Sequence, residues 1–244
     1  MASISKRLLA VASMVTPGSI VADIGCDHAY LSIYLIRNNI CDRVIACDIN
    51  KGPLDIARIN VSDVELLDKI ELRLSDGLHE IHAGEVDSVV IAGMGGKVMA
   101  KIIEEGSKVL EKVHEMILEP QSEVPFFRHF LEENGYRIIS EDMVYEDDKF
   151  YPIIKVIHGQ MDLEEEVYYR YGKILLREEN PVLHQYLFKE KEYLGKLLAE
   201  LSENKEVPKV AKRIDEVRYE LALCQTALTI ITDSALAEND RIIE

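Results

Sequence analysis

An α/β fold is predicted for the first two thirds of this chain, and a helical domain is predicted for the rest. Short apolar runs alternate with helical patterns up to about residue 158, and strand signals are absent from about residue 162 onward. Alternating strands and helices imply right-handed crossovers and a mostly parallel sheet that is covered on both faces. We therefore predict a sheet domain over residues 1–160 and a helical domain over residues 161–244.

The predicted sheet has seven strands. They cover residues 19–24, 43–48, 70–74, 87–92, 115–119, 136–143 and 151–157, and helices are expected near 4–15, 28–39, 52–66, 96–112 and 124–134. The segment Glu146–Lys149 is too short for a helix, so the last two strands are expected to pair as an antiparallel hairpin. A Rossmann-like, seven-stranded parallel sheet with an antiparallel terminal strand is typical of class I methyltransferases. Another doubly wound fold with an edge hairpin is the alternative.

Two heptad patterns predict a coiled coil in the C-terminal domain. The first pattern, which Glu190 interrupts, consists of Leu183, Leu187, Leu194, Leu197 and Leu201. The second alternates steps of four and three residues through Val210, Ile214, Val217, Leu221, Cys224, Leu228 and Ile231. The connection that ends at Pro208 is short, which favours an antiparallel helix hairpin within one chain. Dimerisation through these seams is the alternative.

The composition is that of a soluble globular protein. Hydrophobic residues make up 48% of the 244 residues and charged residues 30%, and no apolar run approaches the roughly 18 residues of a membrane span. The four cysteines form no C-x-x-C pair, which suits reduced thiols in the cytoplasm. The net charge of −16 argues against indiscriminate polyanion binding, although a local basic patch is compatible with a nucleic-acid substrate. A cytoplasmic protein with no membrane partner is expected.

The carboxyl ends of the first four strands carry the candidate cofactor residues. In open α/β sheets, ligands bind at this edge, where the strand order reverses. Gly25 permits a tight turn, Asp48 is placed to hold ribose hydroxyls, and Asp76 is placed to accept a hydrogen bond from an adenine amine. The predicted cofactor-binding set is Asp23, Gly25, Cys26, Asp48, Ile49, Ser75, Asp76, Gly77, Gly93, Met94 and Gly95.

The loop after the first strand discriminates between cofactors. It does not follow the pattern G-x-G-x-x-G, because Asp27 occupies the third residue of that pattern. A carboxylate there would repel a pyrophosphate at the helix N-terminus, which argues against NAD, a cofactor that also uses an acid after the second strand. S-adenosylmethionine carries a positive sulfonium and a ribose but no phosphate. The sequence therefore favours S-adenosylmethionine.

Five strings in the sequence resemble the bacterial TrmK family. They are Ser5–Leu8, Asp23–Leu31, Ser75–Leu78, Ile91–Gly96 and Leu118–Gln121. The resemblance covers essentially the whole chain and implies methylation of N1 of adenine 22 in tRNA with S-adenosylmethionine. It also implies a helical coiled-coil domain at the C-terminus. The sequence departs from the usual residues of that family at Cys26, Gln121 and Pro152.

The catalytic candidates for such a reaction are Asp27, His28 and Tyr30, which follow Gly25 in the sequence. Adenine N1 has an in-plane lone pair and becomes cationic on methylation, so the enzyme needs to supply placement and negative potential rather than a base. We expect Asp27 to accept a hydrogen bond from the exocyclic N6 amine, with a helix N-cap as the alternative. His28 is expected at the same entrance, with a packing role as the alternative. Tyr30 either stacks on a flipped base or lies in the core.

Met94 is an apolar residue on a predicted turn, where it packs either against the ligand or in the core. His79 and His82 have a spacing typical of metal ligands, but no cysteine or acidic ligand set accompanies them, so no metal site is predicted.

Two groups of cations are candidates for binding tRNA phosphates. Segment 189–213 holds seven Lys and Arg against five Glu, and its candidates are Lys205, Lys209 and Lys212. Lys6, Arg7 and Arg37 form the second group. Solvated helix faces with i,i+4 pairs are the alternative for both groups.

Alternative functions remain open from the residues alone. A methyltransferase that acts on another RNA position, a small molecule or a protein is one, and the acidic net charge favours it mildly. A non-catalytic interaction protein is another, although the intact Asp23, Gly25, Asp48 and Asp76 argue against it. A monomer that binds tRNA is the expected state.

Overall fold

The structure is a computed structural model that describes residues 4–203 and 208–242, with side chains described as far as Thr232. The chain divides into two compact units, Met1–Asp162 and Leu163–Glu244. Lys205, one of the predicted tRNA-binding residues, lies outside the described residues. Within the described ranges, no helix combines the length and the apolar character needed to cross a bilayer.

A seven-stranded sheet organises the first unit, as predicted. Its elements are α1 (Lys6–Met14), β1 (Ile20–Ile24), α2 (Tyr30–Arg37), β2 (Arg43–Asp48), α3 (Lys51–Asp63), β3 (Ile70–Leu74), β4 (Ser88–Gly95), α4 (Gly96–Glu105), α5 (Ser107–Leu110), β5 (Glu115–Ser122), α6 (Val124–Glu133), β6 (Tyr136–Glu146) and β7 (Lys149–His158). The strand order is β3-β2-β1-β4-β5-β7-β6. Strands β1 to β5 are parallel, and β7 is antiparallel to both of its neighbours.

The last strand in the sequence lies inside the sheet, where β7 separates β5 from β6. The predicted hairpin is confirmed, and its register pairs Glu146 with Lys149 across a two-residue turn. Asp147 and Asp148 in this turn have φ of 47° and 60°. Positive φ at both central residues is what a type I′ hairpin turn requires, and Asp tolerates it better than most side chains do.

Apolar residues on the two faces of the sheet form two separate cores. The core under α1, α2 and α3 includes Val21 and Val44, and the core under α4 and α6 includes Ala22 and Ile45. Neighbouring strand residues point to opposite faces, and here both faces are buried. This explains why the central strands are continuously apolar in the sequence rather than alternating.

Two predicted helices differ from the observed ones at points where the backbone turns. The helix predicted over 96–112 is divided at Gly106, which packs so closely against Leu78 that a Cβ at this position would overlap it. The helix predicted over 28–39 begins only at Tyr30, because Asp27 and Ala29 adopt φ of 50° and 60°. Helical periodicity in a sequence reports neither feature, since both depend on local backbone conformation.

The second unit contains α7 (Glu166–Tyr171), α8 (Lys173–Arg177), α9 (Pro181–Ser202) and α10 (Pro208–Ile242). Oδ1 of Asn180 accepts hydrogen bonds from the N–H groups of Val182 and Leu183 and so caps α9. Within the described residues, α9 and α10 pack together and bury Leu183, Leu187, Leu194, Ile214, Val217, Cys224 and Ile231. The coiled-coil geometry of this pair remains a prediction.

Glu190 interrupts the apolar seam of α9 because it serves a polar cluster. Its carboxylate accepts hydrogen bonds from Arg170 and from the hydroxyls of Tyr171 and Tyr186. Burial and the adjacent carboxylate raise the pKa of Tyr171 far above its ordinary value, which keeps this hydroxyl a donor.

Candidate active site

The carboxyl-terminal ends of β1, β2, β3 and β4 lie side by side because these strands are neighbours in the sheet, and β4 continues directly into α4 at Gly96. Backbone hydrogen bonds connect the loops directly. The carbonyl of Cys47 accepts from the N–H groups of Gly25 and Cys26 at 2.8 and 2.9 Å, and the carbonyl of Asp48 accepts from Ser75 at 2.9 Å. The edge at which α/β sheets bind ligands is therefore a connected framework that holds the predicted cofactor residues together.

Asp23 is buried beneath this edge and binds the first turn of α2. Its Oδ2 accepts a hydrogen bond of 2.6 Å from the hydroxyl of Ser32, and the backbone N–H of Ser32 also donates to the carboxylate. Burial raises the pKa of Asp23 to about 6. Asp23 thus does for α2 what a cap residue does for other helices, since Ala29 at the cap position has no polar side chain.

Asp48 connects the end of β2 to the loop that carries Asp27. Its Oδ1 accepts from the N–H of Asn50 at 2.8 Å, and its Oδ2 accepts from the N–H of Asp27 at 3.3 Å. Each carboxylate oxygen can accept more than one hydrogen bond. Asp48 therefore retains acceptor capacity for a pair of ribose hydroxyls.

Gly25, which follows β1, meets Met94 near the end of β4. The sequence predicted Met94 on a turn after a strand that ends at residue 92, but β4 extends to Gly95 and pairs Met94 with Pro120 in an irregular register. Gly25 has φ of +76°, and a Cβ built on it would overlap the Cε methyl of Met94. Met94 is partly buried against the core beneath α4 and α6. A residue with a side chain at position 25 would need both an unfavourable backbone and a displaced Met94.

The residues after β3 have unequal roles. Ser75 is buried, and its Oγ donates to the carbonyl of Gly77 and accepts from the N–H of Glu80, so it holds the loop in shape. Asp76 is exposed at the turn. Gly77 has φ of +55° and approaches Ile102, which places it under the loop.

Two exposed aliphatic side chains mark where a flat ligand would pack. Ile49 follows β2 with 58% exposure, and Leu74 ends β3 with 56% exposure. Apolar walls around a few placed polar groups are typical of cofactor pockets. The sequence analysis predicts Ile49 as a cofactor-binding residue but not Leu74. The position of Leu74 directly before the predicted residue Ser75 is the sequence feature that could have identified it.

The three catalytic candidates lie between Asp27 and Tyr30, the first residue of α2. The side chain of Asp27 is 70% exposed, and its Oδ1 lies 3.5 Å from Nδ1 of His28, which is buried and has no hydrogen-bond partner among the described residues. The ring of Tyr30 meets that of His28 edge-on with centroids 5.9 Å apart, and Tyr30 is 37% exposed. Asp27 is therefore not an N-cap, since α2 begins after Ala29, and Tyr30 does not lie in the core.

Asn60 on α3 supports this loop, and the sequence reasoning did not identify it. Its Nδ2 donates to the carbonyl of His28 at 2.9 Å. A side-chain amide that bonds to the backbone of a distant loop leaves no local sequence signal, because its partner is 32 residues away.

The irregular end of β4 is bound by a buried carboxylate. Glu119 on β5 is fully buried, and its Oε2 accepts from the N–H of Gly93 at 2.8 Å and from Nη1 of Arg7 at 2.6 Å. Burial raises the pKa of Glu119, and Arg7 opposes that rise. Oε1 of Glu119 is buried and has no hydrogen-bond partner among the described residues. Glu119 lies within the family-like string Leu118–Gln121, but its sequence neighbours do not reveal this role.

Gly95 and Gly96 allow α4 to start against β5 and its following turn. A Cβ on Gly95 would lie 2.8 Å from Oγ of Ser122, and one on Gly96 would lie 3.0 Å from the carbonyl of Glu123. The carboxylate of Glu123 pairs with Lys97 Nζ at 2.6 Å and accepts from its N–H at 3.4 Å. The helix N-terminus is therefore neutralised by the protein itself.

The predicted phosphate-binding cations fall into different environments. Arg7 is engaged by Glu119 and also lies over the ring of Tyr151 at 5.6 Å, so its guanidinium is a structural group. Lys6, Lys209 and Lys212 are exposed, and Arg37 lines a groove beside α2. Elsewhere in segment 189–213, Lys196 pairs with Glu192, and Arg213 pairs with Glu216 and Glu220, in keeping with a solvated helix face there.

Histidines and cysteines have no metal-binding arrangement in the described part of the chain, where no group of three or more potential ligands is found. His79 lies 3.9 Å from Glu105. Cys26, Cys41, Cys47 and Cys224 are all buried free thiols. Burial and nearby carboxylates raise the pKa of the Cys26 thiol, so it remains protonated.

Taken together, the residues present fit a cofactor that combines a ribose with a cationic centre. Asp48 offers acceptors for hydroxyls, Ile49 and Leu74 offer an apolar slot, and Gly25 provides a position where a Cβ would intrude. No basic side chain among these residues is placed to neutralise a pyrophosphate. The donor set therefore agrees with S-adenosylmethionine.

Comparisons with known proteins agree with this geometry. The family model described as TrmK, tRNA (adenine(22)-N(1))-methyltransferase, matches residues 21–222. A Bacillus subtilis protein named tRNA (adenine(22)-N(1))-methyltransferase is 38% identical over 159 residues, which cover 65% of this chain and 67% of that protein.

Solved structures extend the similarity over nearly the whole chain. Sp1610 of Streptococcus pneumoniae in complex with S-adenosyl-L-methionine has a TM-score of 0.83 and 35% identity, covering 93% of this chain and 100% of that chain. M. capricolum TrmK in complex with S-adenosyl-homocysteine has a TM-score of 0.80 and 29% identity, covering 94% and 100%. The structure of the B. subtilis M1A22 tRNA methyltransferase has a TM-score of 0.82 and 29% identity, covering 93% and 99%.

Proposed function

Because the chain belongs to the TrmK family of tRNA (adenine(22)-N(1))-methyltransferases, we propose a role for its own residues in that reaction. The enzyme uses S-adenosylmethionine and methylates N1 of adenine 22 in tRNA. The proposal concerns which side chains bind the cofactor, which orient the adenine, and which contact the tRNA.

Cofactor binding is assigned to the carboxyl-terminal ends of β1 to β4 and the residues that follow β1, β2 and β3. Asp48 accepts hydrogen bonds from the ribose hydroxyls, and the side chains of Ile49 and Leu74 pack on the adenine of the cofactor. Exposed Asp76 accepts from the amine of that adenine. When bound, S-adenosylmethionine supplies the methyl group as a sulfonium substituent. Gly25 and Met94 line the space beside the cofactor.

Asp27 is assigned to the target adenine. The observation that carries this assignment is the 70% exposed carboxylate of Asp27, held at the cofactor edge by the bond from its N–H to Asp48. The carboxylate accepts a hydrogen bond from the exocyclic N6 amine, so that N1 is oriented toward the methyl group. Its negative charge stabilises the ring as the ring becomes cationic. N1 uses its lone pair, so no proton needs to leave before methyl transfer.

His28 and Tyr30 are assigned to positioning and stacking. Nδ1 of His28 lies within 3.5 Å of the Asp27 carboxylate, and a small rotation of Asp27 gives it a hydrogen bond. The exposed ring of Tyr30 offers a face to an extruded base, and base extrusion is the usual way in which enzymes reach an atom inside a nucleic-acid helix. The edge-on contact between the two rings restricts both.

The tRNA body is proposed to contact exposed lysines, Lys6 in the first unit and Lys209 and Lys212 in the second. An overall charge of −16 confines RNA binding to such local patches. We further propose that the protein acts in the cytoplasm, away from membranes, as a monomer and without a metal ion.

Mapping the methylated nucleoside tests the function. The protein is incubated with labelled S-adenosylmethionine and an unmodified tRNA transcript, and the product is digested and analysed. Label in 1-methyladenosine at position 22 is expected, and a transcript with guanine at position 22 serves as the control. Label elsewhere in the tRNA, or binding of the cofactor without methylation of any tRNA, would overturn the assignment.

A further inference from the structure

A groove of about 370 Å³ lies between α2 and α3, beside the catalytic loop, residues Asp27–Tyr30. Its volume falls in the range of small-ligand pockets, which is about 300 to 1,000 Å³. The groove includes Tyr30, one of the catalytic candidates, and continues along α2 to Arg37 and Asn38. We propose that this groove binds one unstacked nucleotide of the tRNA immediately next to the target adenine. This inference rests on the proposed function.

The α2 wall has the chemistry to hold a base and its phosphate. Tyr30, Ile33, Tyr34 and Arg37 recur at helical spacing, so they form one stripe along the same face of the helix. From residue 30 to residue 37 this stripe extends roughly 10 Å at 1.5 Å per residue. Aromatic rings followed by a guanidinium are typical of surfaces that stack single-stranded bases and track the backbone.

The α3 wall adds hydrogen-bonding groups for a base edge. Asn60 and Asp63 line this side, and Asp63 is a carboxylate that can accept only from donors such as a base amine. Nδ2 of Asn60 is bonded to the carbonyl of His28, while its Oδ1 is an acceptor on the same side chain. Asn60 thus belongs both to the groove and to the loop that presents Asp27.

Extrusion of the target adenine explains why a neighbouring nucleotide needs a site. When one base leaves the stack, the base next to it loses its stacking partner on that side. Tyr30 lines the groove and its ring contacts that of His28, so the groove begins at the catalytic loop. Binding the neighbour would compensate the lost stacking and fix the direction in which the strand leaves the catalytic loop.

Substitutions at Tyr34 test the groove without touching the catalytic candidates. Tyr34→Phe keeps the ring, whereas Tyr34→Leu keeps the apolar bulk that packs on the core but removes the stacking face. Each variant is measured for tRNA affinity with intact transcript and with transcripts that carry an abasic ribose on one or the other side of adenine 22. S-adenosylmethionine affinity and thermal unfolding report whether the variants are folded.

The wild-type protein and Tyr34→Phe are expected to bind one abasic transcript roughly 5 to 150 times more weakly than intact tRNA, the range that corresponds to one base–aromatic stack. Tyr34→Leu is expected to show that loss already with intact tRNA and to show no further loss with the abasic transcript. Equal affinity of Tyr34→Leu and wild type for intact tRNA would overturn the inference. The inference would also be overturned if the loss caused by Tyr34→Leu and the loss caused by the abasic transcript multiplied when the variant was measured with that transcript.

A charge substitution gives a second, independent readout. Arg37→Glu is expected to weaken tRNA binding. Lys108→Glu is the control, because it makes the same charge change at an exposed lysine outside the groove, in the helix layer that covers the opposite face of the sheet. Equal effects of both variants would refute the groove. If the wild-type protein failed to methylate adenine 22 at all, the proposed function would fail. Normal methylation with unchanged Tyr34→Leu and Arg37→Glu binding would reject the groove alone.

Discussion

The Cε methyl of Met94 occupies the space in which any residue with a side chain at position 25 would place its Cβ. Gly25 directly follows β1 and Met94 lies near the end of the neighbouring strand β4, so each residue limits the position of the other. Packing requires glycine at position 25 because a Cβ would overlap Met94. The backbone requires it as well, because φ is +76°.

Replacing Gly25 with Ala is expected to weaken S-adenosylmethionine binding roughly 5- to 30-fold, because the strained backbone and the displaced Met94 distort the turn at a cost of roughly 1–2 kcal/mol. Isothermal titration measures the effect. Gly18→Ala is the matched control, because Gly18 also has positive φ, +84°, but no atom lies within 4 Å of the added Cβ. Equal losses of cofactor affinity in both variants would show that Met94 plays no part.

Asp27→Asn is expected to lower kcat by about a hundredfold, a typical loss for one preorganised electrostatic group. Cofactor affinity should hardly change, because the bond to Asp48 comes from the Asp27 backbone. Asn tolerates the φ of 50° at this position, so the loop keeps its shape. Asp147→Asn, at an exposed residue with φ of 47°, is the control. Full turnover by Asp27→Asn in a single-turnover assay would remove Asp27 from the mechanism.

Arg7→Met is expected to destabilise the protein by about 3 kcal/mol, because it leaves the buried charge of Glu119 without its cation. Adding Glu119→Gln should recover part of the loss, since the neutral amide carries no uncompensated charge. Urea unfolding measures both. Arg43→Met is the matched control, because the Arg43–Glu71 pair is exposed and such pairs contribute at most about 1 kcal/mol. Similar losses in Arg7→Met and Arg43→Met would contradict the buried-pair interpretation.

Asp23 predicts a defined pH dependence of stability. Burial raises its pKa from the ordinary value of 3.8 to about 6, so the folded protein binds this proton more tightly than the unfolded chain does. The carboxylate therefore opposes folding as pH rises through this window. The stability of Asp23→Asn relative to wild type should increase by roughly 1–2 kcal/mol between pH 5 and pH 8. Unfolding curves at both pH values test this, and a constant difference would contradict the raised pKa.

Charge reversal at Lys209 and Lys212, together with Lys205, is expected to weaken tRNA binding and to reduce the slope of log affinity against log salt. The slope should fall by about 1 for each phosphate that is no longer neutralised by a lysine. Lys209 and Lys212 are exposed. Reversal at Lys101 and Lys108 is the control. Cofactor affinity should stay unchanged, and an unaltered salt slope would exclude this patch.

The sequence predicted the sheet and much of the cofactor edge because both depend on local patterns. Buried parallel strands appear as apolar runs, and residues such as Asp48 or Ser75 follow them directly. The groups that were missed are those whose partners are distant in sequence. Glu119 reaches Arg7 across 112 residues, and Asn60 reaches His28 across 32. Arg7 was predicted among the phosphate-binding cations for the same reason, because no neighbouring residue in the sequence reveals that Glu119 binds its guanidinium.

The position of β7 has a consequence for synthesis of the protein. Because β7 lies between β5 and β6, β6 has no native neighbour in the sheet until β7 exists. The first five strands can assemble as the nascent chain emerges, but the sheet can be completed only after residues through His158 have left the ribosome. Until then β5 presents an open edge and β6 an unpaired strand, the kind of intermediate that favours aggregation. Translation of the helical unit thus coincides with the step that closes this edge.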